Sequence, residues 1–322
     1  MSKIFVTKRI PNSGLSLLKE GGHEVVVSDK ISDLTKDELV ETLKTGGYEA
    51  VLCLLTNKID DEVFAAAPTA KIFANYAVGV DNIDLAAARA RGVLVTNTPG
   101  VLTNAVAEHA FALMIAVAKR VAEADRFTRA GQYAGWEPML LLGTELAGQT
   151  LGVVGLGRIG SRLAHFAARG FGMKIVYYDV ARNEQFEQDY AAEYRSEVTE
   201  VLRVADFVSI HVPLLDSTKH LINRERLALM KPTAILVNTS RGPVVDEAAL
   251  VDALKNGVIR GAGLDVFENE PRLAAGLNEL DNVILTPHTA SATEETRQAM
   301  SRLAAENIIA ALTGQTPPNL VV

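Results

Sequence analysis

The sequence predicts an α/β protein with two domains, each built on a doubly wound parallel sheet. The chain has 322 residues, more than a single hydrophobic core usually contains. Its composition, with 48% hydrophobic and 22% charged residues, is typical of a globular protein. Short apolar runs alternate with helical patterns in two successive series. This alternation is typical of parallel strands that are covered by helices on both faces.

The first series begins at the amino terminus. Buried strands are predicted at Lys3–Thr7, Glu24–Ser28, Ala50–Leu55, Lys71–Ala74 and Val93–Thr96. Helical patterns between them include Leu34–Lys44 and Leu85–Arg91. The only cysteine, Cys53, lies in the third strand, where we expect a buried structural thiol. A single cysteine excludes an intramolecular disulfide and an all-cysteine metal site.

A long helix and an apolar loop separate the two series. The helix is predicted at Asn104–Arg120, where apolar residues form one stripe. The loop, Gly131–Gly148, contains Trp136, Pro138 and the apolar run Met139–Leu142. Two interpretations stay open, because this apolar surface is explained either by burial against another domain or subunit or by core filling within one subunit.

The second series contains six further strands. They are predicted at Thr150–Gly155, Lys174–Asp179, Phe207–Val212, Ile235–Asn238, Gly261–Val266 and Val283–Thr286. A helical pattern at Glu294–Leu312 follows the last strand. The pattern alone does not say where this last helix packs.

Charge and hydropathy disfavour several kinds of partner. The 32 basic and 39 acidic residues give a net charge of −7, which disfavours nucleic acid and anionic membrane surfaces. The longest mostly apolar stretch, Ala105–Ala118, includes Glu108 and His109 and is too short to span a bilayer. No signal-peptide pattern is present, so we expect a cytoplasmic protein. No histidine pattern has metal-ligand spacing, so we expect no metal.

A glycine-rich turn carries the clearest motif. Gly155-Leu-Gly157-Arg-Ile-Gly160 follows a predicted strand and opens the helical pattern Ser161–Arg169. Gly155 permits a tight turn, Gly157 lets a pyrophosphate approach the backbone, and Gly160 lets helix and strand pack closely. The free N–H groups and the dipole at the helix start favour phosphate. This turn therefore predicts a dinucleotide site.

An acid completes this motif. Asp179 ends the next strand, nineteen residues after Gly160, and its carboxylate can accept hydrogen bonds from ribose hydroxyls. The same charge would repel a 2′-phosphate, so the sequence favours NAD over NADP. Arg182 lies close enough to complicate this preference, although a solvated loop arginine is the plain interpretation.

Three later strands each end in polar residues, at Asn238–Gly242, Asp265–Pro271 and Thr286–Thr289. Ligands of a doubly wound sheet bind outside the carboxyl ends of its strands, so a reactive site is predicted there. Taken singly, Arg241 is also explained as a surface ion-pair partner, Glu270 as a solvated acid and His288 as a turn residue.

Together with the glycine turn, these segments resemble the D-isomer-specific 2-hydroxyacid dehydrogenases. Further matching motifs are Asn75–Asp84, Asn97-Thr-Pro99 and Ala107–Met114, so the resemblance covers nearly the whole chain. Trp136-Glu-Pro138, followed by Leu142-Gly143, is most similar to the glyoxylate/hydroxypyruvate reductase branch.

The resemblance implies that Arg241, Glu270 and His288 are catalytic. A planar guanidinium at Arg241 suits the carboxylate and carbonyl oxygens of a 2-keto acid. His288 would protonate the carbonyl oxygen during hydride delivery from NADH, and act as a base in the reverse direction. Glu270 would hydrogen-bond the imidazole and favour its charged form by raising its pKa.

The resemblance also implies ligand contacts. Besides the three glycines and Asp179, the implied NAD contacts are Val106, Arg158, Ile159, Val212, Thr239, Ser240, Arg241, Asp265 and His288. Asp265 is placed for the carboxamide. The implied substrate contacts are Leu54, Val78 and Gly79, with Arg241 and His288. Two relatives have threonine at the positions of Val78 and Val212, so only backbone or apolar contacts are implied there.

Two domains and a dimer follow from the same resemblance. It implies a flavodoxin-like substrate domain at 1–100 and 290–322, and a Rossmann NAD-binding domain at 101–289. The reactants would meet in the cleft between the domains, where closure excludes water. The family pattern also implies a homodimer with residues 103–148 as the contact region.

The expected activity is NAD-dependent reduction of a small 2-keto acid, with glyoxylate or hydroxypyruvate as the favoured substrate. Other branches of the same family remain open, namely D-lactate dehydrogenase and 2-ketogluconate reductase. A different class also remains, a non-catalytic NAD sensor similar to the corepressors built on this fold, because those proteins keep the Arg–Glu–His set.

Overall fold

The computed structural model describes residues 1–322, and the chain divides into two compact units. The terminal unit comprises Met1–Leu102 and Ala292–Val322. The central unit comprises Thr103–Ser291. All strand pairs in both units are parallel. The predicted fold class, two parallel-sheet α/β domains, is therefore confirmed.

The terminal unit has a five-stranded sheet of order β2-β1-β3-β4-β5. Its strands are β1 Lys3–Val6, β2 Glu24–Val27, β3 Ala50–Cys53, β4 Ile72–Asn75 and β5 Leu94–Thr96. Its helices are α1 Asn12–Glu20, α2 Lys36–Gly46, α3 Asp61–Ala66, α4 Leu85–Arg91 and the last helix, Glu294–Leu312. This strand order is the flavodoxin-like one.

The buried residues of β3 and β4 explain why these strands read as continuous apolar runs. All four residues of each strand are buried, as expected for parallel strands covered on both faces. Cys53 is fully buried, and burial raises the pKa of its thiol to about 12. The prediction of a buried structural thiol is confirmed.

The last helix packs on α1 of the terminal unit. Ser301 Oγ donates to the carbonyl oxygen of Pro11 at 2.7 Å and accepts from the N–H of Gly14 at 3.1 Å. A Cβ at Gly14 would lie 2.1 Å from the carbonyl oxygen of Ser301, so only glycine permits this approach. This contact places the helix that the sequence pattern left unassigned.

The central unit has a seven-stranded sheet of order β12-β11-β10-β9-β6-β7-β8. Its strands are β6 Thr150–Val154, β7 Lys174–Tyr178, β8 Glu193–Arg195, β9 Phe207–Ile210, β10 Ile235–Asn238, β11 Gly261–Leu264 and β12 Val283–Leu285. Its helices are α5 Thr103–Ala118, α6 Val121–Arg129, α7 Arg158–Phe171, α8 Glu184–Tyr190, α9 Val198–Val204, α10 Arg224–Leu227 and α11 Glu247–Lys255. Strand order reverses between β6 and β9, the position at which such sheets bind ligands.

Two elements of the central unit were not predicted. The edge strand β8 consists of Glu193, Tyr194 and Arg195, and this short polar sequence carries no apolar run. The helix predicted at Asn104–Arg120 ends at Ala118, because Arg120 adopts a left-handed conformation with φ 54°. A second helix, α6, begins at the next residue.

The loop between α6 and β6 exposes its large apolar side chains. Trp136 is 82% exposed and Met139 is 75% exposed in the chain. Core filling within one subunit, one of the two interpretations of this loop, is therefore wrong. The exposed surface agrees with the other interpretation, burial against another domain or subunit. No helix of the chain is both long enough and apolar enough to cross a membrane.

Two glycines of α7 provide a matched test of the close packing between this helix and β6. A Cβ at Gly160 would lie 2.1 Å from the carbonyl oxygen of Gly155, whereas a Cβ at Gly170 meets no atom within 4 Å. We expect Gly160→Ala to lower the free energy of unfolding by about 1–3 kcal/mol through overpacking. Gly170→Ala should raise it by about 0.5–1 kcal/mol, since alanine favours the helix. Thermal unfolding followed by calorimetry compares the two, and equal shifts would contradict the packing argument.

Candidate active site

The glycine turn lies between β6 and α7, at the reversal of strand order. Gly155 has φ +97°, and a Cβ there would lie 2.9 Å from the carbonyl carbon and oxygen of His211. A Cβ at Gly157, the residue before α7, would meet no atom within 4 Å, and no side chain caps this helix start. Open backbone and uncapped N–H groups at a helix start fit the pyrophosphate of a dinucleotide. Arg158 and Ile159 occupy the first turn of α7.

Asp179, directly after β7, holds this turn in place. One carboxylate oxygen accepts the N–H of Leu156 at 2.6 Å, and the other accepts the N–H of Ala181 at 3.3 Å. The acid predicted to bind ribose therefore lies against the glycine turn. The nearby Arg182 is paired with Glu187, with its Nη2 2.7 Å from Oε2 of that residue.

The end of β9 contributes His211 and Val212. Nε2 of His211 lies 2.9 Å from Oγ of the fully buried Ser209. Burial lowers the pKa of His211 to about 4, so this ring is neutral at physiological pH. Cγ1 of Val212 lies 3.0 Å from the position of a Cβ at Gly155, which places Val212 at the glycine turn. We therefore interpret His211 as a neutral, hydrogen-bonded residue at the carboxyl end of the sheet, without an acid–base role.

The loop after β10 holds Arg241. Asn238 organises this loop, because its Nδ2 donates to the carbonyl oxygen of Arg241 at 2.9 Å and its Oδ1 accepts the N–H of Ser240 at 3.0 Å. Gly242 lies so close to the loop after β11 that a Cβ there would collide with the backbone of Phe267, at 1.9 Å. The buried Oγ1 of Thr239 has no hydrogen-bond partner in the protein, which fits a hydrogen bond to a bound ligand.

The structure brings Glu270 and His288 together. Nδ1 of His288 lies 3.0 Å from Oε2 of Glu270, and Oε1 of Glu270 accepts the N–H of Phe267 at 3.0 Å. Desolvation raises the pKa of Glu270, but the hydrogen bonds from His288 and Phe267 outweigh it and hold the pKa below its usual range. The carboxylate is therefore ionised at neutral pH and accepts a proton-bearing Nδ1. Nε2 of His288 makes no hydrogen bond, and the ring is partly exposed.

Asp265 supports the turn that carries His288. Its carboxylate is fully buried and accepts the N–H groups of Thr289 and Ala290, each at 2.8 Å. It also accepts the hydroxyl of Thr286 at 2.6 Å, while the carbonyl oxygen of Asp265 accepts the N–H of His288 at 2.8 Å. His288 itself has φ +52°, in the left-handed region that side chains rarely adopt. The predicted carboxamide contact of Asp265 stays a prediction, and the structure adds this anchoring role.

Sequence reasoning missed one residue of this network. Nε2 of His109 lies 2.9 Å from Oγ1 of Thr286 and 3.4 Å from Oδ1 of Asp265. The sequence predicts no chemical role for His109. The signal that could have found it is its spacing, because His109 follows Val106 by three residues on α5 and thus shares a face with a predicted cofactor contact.

A second missed cluster supports the loop that carries Glu270. The nearly fully buried Glu247 accepts the N–H groups of Glu268 and Ala274 at the two ends of this loop. Nε2 of His220 lies 2.7 Å from Oε1 of Glu268. Burial raises the pKa of Glu247, and this effect outweighs its hydrogen bonds. No residue pattern marks this cluster, since its members are distant in sequence.

Three of the predicted substrate contacts, Leu54, Val78 and Gly79, belong to the terminal unit. Leu54 follows β3, and its N–H donates to Oδ1 of Asn57 at 2.9 Å. The carbonyl oxygens of Val78 and Gly79, in the loop after β4, accept Nδ2 of Asn97 and of Asn75 at 2.8 and 2.9 Å. These contacts fix the backbone of both loops. Arg241, Glu270 and His288 belong to the central unit, together with all predicted NAD contacts.

A doubly wound sheet with a glycine turn and an acid at the reversal of its strand order defines a dinucleotide-dependent α/β enzyme. Comparison with known proteins is more specific. The sequence profile of the D-isomer specific 2-hydroxyacid dehydrogenase NAD binding domain matches residues 111–290. The chain is 50% identical to glyoxylate reductase of Pyrococcus furiosus, over 99% of this chain and 95% of that protein. The chain therefore belongs to the D-isomer specific 2-hydroxyacid dehydrogenases, and the predicted resemblance is confirmed.

Solved structures agree with this assignment. A protein of Thermus thermophilus superposes with a TM-score of 0.93 and 44% identity, covering 99% of this chain and 100% of that one. The NADPH-dependent glyoxylate/hydroxypyruvate reductase of Sinorhizobium meliloti, solved with NADP and malonate, superposes with a TM-score of 0.86 and 34% identity, covering 100% and 97%. The chain is thus an NAD(P)-dependent oxidoreductase by family.

The anchoring role of Asp265 predicts a pH-dependent loss of stability in Asp265→Asn. An amide cannot accept from all the donors around this carboxylate, so we expect the free energy of unfolding at pH 7 to fall by about 1–3 kcal/mol. Desolvation raises the pKa of Asp265, but its hydrogen bonds, led by the one from His109, outweigh this and lower it. Its stabilising effect is therefore present above the unfolded pKa of about 3.9 and is lost as pH falls through the lower folded value.

Denaturant unfolding at several pH values between 3 and 7 measures this difference between wild type and Asp265→Asn. We expect the difference to be constant near neutrality and to shrink in acid. The exposed acid Asp189, changed to asparagine, serves as the control, with little effect at any pH. A difference for Asp265→Asn that does not change with pH would contradict the assignment of an ionised, hydrogen-bonded carboxylate.

Proposed function

We propose that the protein is an NAD-dependent D-2-hydroxyacid dehydrogenase that reduces glyoxylate or hydroxypyruvate. The observation that carries this proposal is the pairing of His288 with Glu270 on a turn anchored by the buried Asp265. The 50% identity to a glyoxylate reductase over nearly the whole chain supports the choice of substrate. The exposed Trp136 lies in the segment that most resembles that branch.

His288 is the proposed acid–base residue. When bound, NADH supplies a hydride to the carbonyl carbon of the keto acid. His288, as imidazolium, donates the proton on Nε2 to the carbonyl oxygen, since Nδ1 is held by Glu270. The ionised Glu270 accepts a hydrogen bond from Nδ1 and so fixes the orientation of the ring. In the oxidative direction the neutral ring accepts the hydroxyl proton at the same Nε2.

Arg241 is the proposed carboxylate ligand. A guanidinium presents parallel N–H donors that match the two oxygens of a carboxylate or of a 2-keto acid. Asn238 fixes the backbone of this residue, and the tight contact at Gly242 sets its loop against the loop of Glu270. We further propose that the terminal unit supplies substrate contacts through Leu54, Val78 and Gly79, while the central unit holds NAD.

The catalytic assignment predicts that His288→Ala and Arg241→Ala lose turnover but keep NADH binding. We expect kcat of His288→Ala to fall by about 10²–10⁴-fold, the usual contribution of a positioned acid. NADH oxidation is followed by absorbance with glyoxylate, hydroxypyruvate, pyruvate and 2-ketogluconate, and NADH binding by fluorescence titration. The matched control is His165→Ala, a histidine of α7 that pairs with Tyr190 and should keep full activity.

The outcomes of this assay separate the alternatives. Fastest turnover with glyoxylate or hydroxypyruvate supports the proposal, whereas a preference for pyruvate or 2-ketogluconate would assign the chain to another branch of the family. Tight NADH binding without turnover of any keto acid would favour the NAD-sensor alternative. Retained activity in both His288→Ala and Arg241→Ala would overturn the assignment of the site.

A homodimer is the proposed assembly, with residues 103–148 as the contact region. The exposed side chains of Trp136 and Met139 support it, because so much apolar surface on one loop is typical of a protein interface. We expect the wild type to be a dimer by light scattering. The double variant Trp136→Ser, Met139→Ser should raise the dimer Kd by at least about tenfold, since buried aromatic anchors dominate such interfaces. A monomeric wild type would exclude the proposed assembly.

A further inference from the structure

The turn after β7 contains two residues with opposite effects on cofactor choice. The carboxylate of Asp179 repels a 2′-phosphate and thus favours NAD. Arg182, three residues later, carries a guanidinium that can bind a phosphate through parallel N–H donors. The Sinorhizobium meliloti relative is NADPH-dependent, and a D-lactate dehydrogenase with a similar structure was solved with NAD, so both cofactors are found among the structural relatives. Which cofactor this chain prefers therefore depends on whether Arg182 is available.

Glu187 on α8 occupies the guanidinium of Arg182. Nε of Arg182 lies 2.9 and 3.2 Å from the two carboxylate oxygens, and Nη2 lies 2.7 Å from Oε2. This is a bidentate ion pair, and arginine binds a phosphate with the same geometry. A phosphate and Glu187 would therefore compete for the same N–H donors.

Glu187 is itself held in place by a hydrogen bond from a residue of β7. Its Oε1 accepts the hydroxyl of Tyr177 at 2.8 Å, and the ring of Tyr177 is fully buried in β7. The same hydroxyl accepts the N–H of Asn183 at 2.8 Å, which ties the turn to the strand. Hydrogen bonds from Arg182 and then from Tyr177 lower the pKa of Glu187, so it is ionised at neutral pH. Only 14% of its side chain is exposed, whereas Arg182 is mostly exposed.

Tyr194 lies next to both Arg182 and Asp179. The guanidinium carbon of Arg182 is 6.0 Å from the centre of the Tyr194 ring. The hydroxyl of Tyr194 donates to the carbonyl oxygen of Asp179 at 3.4 Å. One aromatic side chain thus contacts both residues of the turn. Arg182 is in the turn that follows Asp179, and its N–H donors are directed to Glu187.

We propose that Glu187 is a determinant of cofactor specificity, because it binds and neutralises Arg182 and so leaves Asp179 to exclude a 2′-phosphate. With Glu187 present, the three charges of Asp179, Arg182 and Glu187 sum to −1. Without it they sum to zero, and the guanidinium can turn to a phosphate. This inference rests on the proposed NAD-dependent function.

The test compares binding of NADH and NADPH to the full chain by fluorescence titration, and kcat/KM with glyoxylate for each cofactor. We expect Glu187→Gln to raise NADPH affinity by about tenfold to a hundredfold, the range for charge-assisted hydrogen bonds to a phosphate, and to change NADH affinity by less than about twofold. A glutamine can still accept the Tyr177 hydroxyl, so the turn should remain folded, and thermal unfolding checks this.

Two further variants separate the release of Arg182 from a simple change of charge. The double variant Glu187→Gln, Arg182→Ala should lose the gain in NADPH affinity. Asp189→Asn removes one exposed negative charge from the same helix without touching Arg182 and should leave the NADPH to NADH ratio unchanged. A gain that persists in the double variant, or that Asp189→Asn reproduces, would overturn the proposal.

The result also distinguishes this inference from the proposed function. A wild type that binds neither cofactor would contradict the NAD-dependent function itself. A wild type that binds NADH tightly, with no shift in the NADPH to NADH ratio in Glu187→Gln, would contradict only the role of Glu187. The binding measurement does not require turnover, so it remains informative for a chain that lacks activity.

Discussion

The buried carboxylate of Asp265 is the interaction on which the candidate site depends. A charge without solvent is tolerated only when hydrogen bonds replace its water, and Asp265 obtains them from the turn after β12. Those bonds fix the backbone on both sides of His288, whose φ of +52° is unfavourable in isolation. Because Asp265 lies at the end of β11, the sheet itself sets the position of the imidazole. The carboxylate of Glu270, in the loop after β11, then lies within hydrogen-bond distance of the imidazole.

Much of this architecture could be predicted from the sequence, because parallel strands buried on both faces leave continuous apolar runs. Strands such as β3 and β10 were found for that reason. The edge strand β8 was not, since a polar strand at a sheet edge has no such run. The break at Arg120 was also hidden, because arginine gives no signal for a left-handed residue. The exposure of Trp136 could not be decided either, since an apolar loop looks alike whether it fills a core or contacts another chain.

For the candidate site, the sequence predicts the proposed catalytic residues but not the residues that support them. Arg241, Glu270 and His288 stand in motifs that end strands, so their segments could be located from the sequence. The roles of supporting residues could not, because His109 and Glu247 act through contacts between positions far apart in the chain. A pattern of residues shows which side chains are present at a sheet edge, whereas hydrogen bonds show which of them face a ligand and which hold a loop.

Burial separates the acids that hold loops in place from the acid that pairs with His288. Asp265 and Glu247 are nearly inaccessible, and each accepts N–H groups from a loop of the site. Glu270 is partly exposed and accepts from the His288 ring, so it can respond to the charge of that ring during a reaction. The pair of His220 and Glu268 resembles it in geometry, but the second oxygen of Glu268 faces the start of α11 and completes a structural cluster. A His–Glu pair therefore does not by itself mark a reactive centre. What distinguishes His288 is its place on a turn whose backbone N–H groups are bound by the buried carboxylate of Asp265.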